Sequence, residues 1–166
     1  MLAYTREKEK ETVENLKGNV KLFNMVCAAL MAVVLILQFV PFWHFVDGET
    51  EAAASISGYI WMPDDHKALD KHLESVVEGH SLNDMLLPPI LTLVLSAVGL
   101  VLCLLKPGQT PMLLLPLGCG LAVLIGCLTI PAMKLGTGWA LHLVLGMALL
   151  VIAAAGLILN GKSSRA

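Results

Sequence analysis

LFNMVCAALMAVVLILQFVPF, residues 22–42, decides the fold class: it holds no Asp, Glu, Lys or Arg. At 1.5 Å of rise per residue, about 20 mostly apolar residues cross the roughly 30 Å hydrocarbon layer of a bilayer. Three later stretches pass the same test without a charged side chain, residues 85–105, 112–130 and 139–159. In lipid every backbone N–H and C=O must be satisfied internally, so a spanning segment is a helix or a barrel strand. These runs are continuously apolar and lack the alternation of a barrel strand, which leaves helices.

Composition agrees with that reading. Hydrophobic residues make up 57% of the 166, charged residues 14%, and the mean hydropathy is +0.77, too little polar surface to coat a water-soluble globule. The expected fold is an all-α membrane protein, an antiparallel bundle of four transmembrane helices. The lipid bilayer is its first partner. No basic patch points to nucleic acid.

The remaining charge is sorted by segment. Arg6, Lys8, Lys10, Lys17 and Lys21 precede the first span, Lys106 lies in the loop 106–111, and Lys162 and Arg165 lie in the tail 160–166. With four spans these fall on one side, and the excess of Lys and Arg places that side in the cytoplasm of a cell-membrane protein. The tail 1–21 pairs Glu14 with Lys10 and Lys17 at helical spacings and reads as a solvated helical lead-in. The first span is longer than a signal-peptide core and no small-residue cleavage site follows it closely, so it reads as a retained anchor.

Residues 43–84 form the large external loop, with the short loop 131–138 on the same side. Nine acids and two lysines give the large loop a net charge of -7. Trp43 to Val46 continues apolar out of the first span; after a polar turn at 47–51, the alternating run Ser55-Ile-Ser-Gly-Tyr-Ile-Trp61 reads as the second strand of a small β-hairpin. Pro63, Asp64 and Asp65 signal a helix start, and Ala68, Leu69, His72, Leu73, Val76 and Val77 make one apolar stripe up to Gly79, the pattern of an amphipathic helix. Trp43, Tyr59, Trp61, Asp64, Asp65 and His66 are therefore the candidate extracellular recognition residues.

His66, His72 and His80 with the neighbouring acids include zinc-ligand types. His72 falls on the apolar stripe, however, and no HExxH or tight paired-His motif occurs. The acids read better as a solvated helix face that attracts cations weakly, and no metal or cofactor is assigned.

Within the spans, Gly118, Ala122 and Gly126 recur every four residues, as do Gly138, His142, Gly146, Leu150 and Ala154, predicting strips where helices approach closely. His142 and Gln38 are the candidate intramembrane polar residues, since an unpaired polar group in lipid is costly. Pro88, Pro89 and Pro116 are expected to bend or locally unwind their helices. Cys27, Cys103, Cys119 and Cys127 all lie in spans and form no CxxC, which removes support for a thiol oxidoreductase. No Walker, GxSxG or dinucleotide motif occurs, so an enzyme is not expected.

Trp43, the Gly58-Tyr-Ile-Trp61 run whose Trp61 follows Trp43 after seventeen intervening residues, and a short helix before the second span resemble the claudin-like family. That resemblance implies four spans, cytoplasmic termini and a first extracellular loop built on a small sheet. Asp64 stands where the family's first loop cysteine would be, and the second is missing too. The family's sealing role is therefore not carried over. The sequence points to a non-enzymatic membrane protein whose external cap serves recognition, assembly or modulation of a membrane-protein partner. The alternative is a homo-oligomeric cation channel or small transporter subunit with Gln38 and His142 along its route.

Overall fold

The computed structural model describes residues 2–40, 43–47, 50–54, 87–129 and 137–163. Four long helices dominate: α1 (Leu2–Leu37), α2 (Leu87–Leu105), α3 (Leu114–Thr129) and α4 (Thr137–Ser163). A 3-10 turn at Thr110–Leu113 leads into α3. Gly18–Leu37, Leu87–Leu105, Thr110–Leu128 and Ala140–Asn160 are long and apolar enough to cross a membrane, which makes this a multi-pass membrane protein. Their outward faces carry exposed Leu22, Ile36, Leu87, Leu128, Val144 and Val151, side chains that only lipid solvates well.

Prolines set the helix ends. Pro41 has no N–H, its ring would clash with the carbonyl of Leu37, and it disfavours a helical Val40. Accordingly α1 stops at Leu37, short of residue 42, and Gln38, Phe39 and Val40 close it with bonds to the carbonyls three residues back. Pro88 and Pro89 sit in the first turn of α2, where a missing N–H loses no helical bond; they start that helix rather than bend it. Pro116 stands in the first turn of α3, just after the 3-10 winding. It has no N–H for the Met112 carbonyl, which accepts from the Leu114 backbone N–H and lies 3.7 Å from the Cys103 thiol.

Each helix packs against its chain neighbours and α1 also packs against α4, closing a four-membered ring. Neighbours run antiparallel: Gln38 meets His142 while Phe23 lies beside Gly156, and Gly126 faces Pro88 while the side chain of Leu115 reaches Gly99. Buried positions advance by alternating steps of three and four. They run Asn24, Cys27, Met31 and Val34 in α1 and on to Gln38 just past it; Pro89, Thr92, Ser96, Gly99 and Cys103 in α2; His142, Gly146, Leu149, Ala153 and Gly156 in α4. That 3.5-residue period is the register of left-handed bundle packing.

The period also adjusts the small-residue strips. A constant four-residue step drifts around the helix, so after Gly146 it is Leu149 and Ala153 that are buried, while Leu150 and Ala154 are half-buried. On α3, Ala122 and Gly126 face inward and Gly118 is half-buried. The tightest approach to another helix's backbone involves Gly120: a Cβ there would lie 2.8 Å from the Gly146 carbonyl oxygen and 3.0 Å from the Leu150 backbone nitrogen.

At the end of the bundle carrying the α2–α3 connection, Asn24 is fully buried. Its amide nitrogen donates to the carbonyls of Pro107 (2.7 Å) and Gln109 (3.1 Å), and its oxygen lies 3.6 Å from the Cys103 thiol. One side chain of α1 thereby fixes a short loop 83 residues away.

The hairpin expected between Trp43–Val46 and Ser55–Trp61 is not formed, and the fold class is corrected accordingly. Trp43–Asp47 (β1) pairs instead with Thr50–Ala54 (β2), antiparallel, with Trp43 opposite Ala54 and Asp47 opposite Thr50. The cause is turn length. Pairing Asp47 with Thr50 leaves only Gly48 and Glu49 between the strands, a Gly-X pair of the kind that favours two-residue connections. The alanine-rich Thr50–Ala54 has weak strand propensity, so register rather than composition selects it. The expected amphipathic helix lies outside the described residues.

Gly120→Ala should lower the thermal unfolding temperature in detergent, with an overpacking cost of about 1–3 kcal/mol. Gly18→Ala has nothing within 4 Å of its new Cβ. That change should be neutral or stabilising by up to about 1 kcal/mol. Equal melting temperatures for the two variants would contradict the close α3–α4 approach.

Candidate functional site

The opposite end, toward the hairpin, gathers polar groups from three helices around a half-open pocket. Gln38 stands just past α1, where Pro41 stops the helix; His142 lies in the second turn of α4; Thr92 lies in the second turn of α2. All three side chains line the pocket, with walls from Pro89, Ala122 and Gly126. Gln38 and His142 are each only 2% exposed.

The hydrogen bonds fix the chemistry of each atom. His142 Nδ1 is 2.8 Å from the Gly138 carbonyl, which only accepts, so Nδ1 carries a proton. In the neutral ring Nε2 then offers a lone pair. Gln38 Nε2 lies 3.2 Å from it and 3.0 Å from the Val34 carbonyl, so the two amide protons serve two acceptors. Turning the amide over would set its oxygen against both acceptors, and this orientation is therefore the only one that fits. It leaves Gln38 Oε1 buried with no hydrogen-bond partner among the described residues.

Thr92 Oγ1 donates to the Pro88 carbonyl at 2.9 Å and keeps lone pairs free to accept. The room open to the centre of a water-sized sphere is about 10 Å³. The arrangement is a neutral hydrogen-bond network with a small void. Among the described residues, the pocket lining holds no carboxylate or thiol. Protonating His142 at Nε2 would set donor against donor unless the Gln38 amide turned.

Both intramembrane candidates, Gln38 and His142, thus come together from positions 104 residues apart. Trp43 opens β1, while Tyr59, Trp61, Asp64, Asp65 and His66 lie outside the described residues. Among the described residues no group of three or more His, Cys, Asp or Glu could hold a metal ion; the loop histidines lie outside them. Sequence reasoning missed Asn24, Thr92 and Ser96, all buried. Their signal was available: Thr92 and Ser96 share with Gly99 the three-four spacing of one α2 face, and Asn24 precedes Met31 by one heptad.

No protein-family model matches the chain, and comparison with curated proteins and with solved structures gives no match either. The claudin-like resemblance therefore gains no support from relatives; what stands is the four-helix membrane architecture.

His142→Leu removes the acceptor from a buried amide proton and should destabilise the bundle by about 1–3 kcal/mol. In the double variant with Gln38→Leu the penalty should be less than the sum, with a coupling of about 0.5–3 kcal/mol measured by thermal unfolding. Strict additivity would show that the two side chains do not interact.

Proposed function

We propose that the chain is a non-enzymatic protein of the cell membrane, with both ends cytoplasmic and residues 43–84 outside, that recognises or modulates another membrane component. The observation carrying this reading is the closed interior of the bundle. Between the polar cluster at Gln38 and His142 and the polar clamp at Asn24 lie Met31, Cys119 and Leu149, all 0% exposed. The Met31 sulfur fills the place beside Gly99 where a Cβ would sit, 2.6 Å from it. An ion crossing here would meet mostly apolar side chains and the Ser96 hydroxyl, itself bonded to the Leu93 carbonyl, at a cost no charge among the described residues of this layer offsets.

With its interior closed, the bundle serves as a platform, and the water-facing chemistry belongs to the acidic loop. A net charge of -7 on residues 43–84 suits a basic partner surface. Claudin-like membership is the finer part of this proposal. It rests on the four-span topology, the short helix expected before the second span, and Trp43, Gly58, Tyr59 and Trp61, without the cysteine pair.

The second reading, a homo-oligomeric cation channel, is favoured by the polar pocket at the mouth and by the acidic loop; its route would run between copies. Oligomeric mass in detergent, measured by light scattering, together with cation flux into liposomes separates the two. A monomer without flux is expected. A ring of several copies that conducts cations would replace the platform reading with the channel.

A further inference from the structure

Gln38 Oε1 is the one buried side-chain nitrogen or oxygen without a hydrogen-bond partner among the described residues. Its orientation is forced, because the Val34 carbonyl and the His142 Nε2 lone pair both require the amide nitrogen on their side. The oxygen is left at the pocket that Gln38 shares with Thr92. A buried amide oxygen is normally paired with protein or with ordered water. The geometry points to a binding site at the hairpin end of the bundle for one water-sized hydrogen-bond donor, held between Gln38 Oε1 and Thr92 Oγ1.

Three features narrow the occupant to a water molecule. The first is size: about 10 Å³ open to a water centre is about what one water requires. The second is charge, because the lining among the described residues contains no carboxylate, and none of them offsets the desolvation of ammonium or an alkali ion. The third is polarity, since Gln38 Oε1 and Thr92 Oγ1 are both acceptors and a water's two protons answer two acceptors. A bound water completes a chain that runs from Thr92 through the water to Gln38, His142 and the Gly138 carbonyl. It joins α2, α1 and α4 at the end where the large loop leaves the membrane.

Water-edited solid-state NMR on the full chain in lipid bilayers tests this directly. Magnetisation from water should reach the Gln38 and Thr92 side chains at least about twofold faster than it reaches Met31 in the apolar layer. In Thr92→Val the transfer to Gln38 should slow, because one of the two acceptors is gone. Transfer to Gln38 as slow as to Met31 in the unmodified protein would overturn the site. Exchanging sodium chloride for ammonium chloride should leave the Gln38 side-chain resonances in place; a saturable shift would overturn the assignment to neutral water in favour of a cation.

Discussion

The demand that no backbone polar group be left open to lipid shapes most of this molecule. It confines the chain to helices and restricts where proline can stand. Pro88, Pro89 and Pro116 occupy first turns, and Pro41 lies just beyond a helix end, so none removes a bond from a helix interior. The carbonyl that Pro116 leaves without its helical donor, that of Met112, accepts from the Leu114 backbone N–H and lies near the Cys103 thiol of the neighbouring helix.

Lipid supplies no hydrophobic drive to join helices, so their association depends on close fit. The fit comes from small residues in the 3.5-residue register, above all where Gly120 meets the backbone of Gly146. The same register selects which polar residues face inward. Asn24, Gln38, Thr92, Ser96 and His142 all occupy it, and each finds an acceptor or donor there. Polar residues on that seam are paired; the lipid face outside it carries Leu, Ile and Val.

Four spans were legible in the sequence because each is a long run without charge, and hydropathy reports that directly. Where the first helix stops was legible too, in Pro41, once its missing N–H is given more weight than the apolar Val40 and Phe42. The hairpin was harder. Strand propensity favours Ser55–Trp61 over Thr50–Ala54, but the register sets Asp47 opposite Thr50, with two residues between them in sequence, and propensity yields. Gln38 and His142 stood out as polar residues in apolar runs, yet their contact depends on two helices meeting antiparallel at a common depth. Thr92 was hidden by its type. A threonine in an apolar helix that bonds its own backbone gives no sign of the neighbours it lines a pocket with.

Two carboxamides on one face of α1, Asn24 and Gln38, show how the ends of the bundle differ. They are fourteen residues apart, two heptads, and so point to the same seam. At the Asn24 end both amide protons and the oxygen are engaged, by Pro107, Gln109 and Cys103, and the loop is locked. At the Gln38 end the protons are engaged and the oxygen is not. A buried acceptor left open is costly. A site kept short of one donor beside a void is a site arranged for something outside the chain. The asymmetry between these two amides is therefore the strongest reason to seek function at the hairpin end, where the acidic segment meets the membrane.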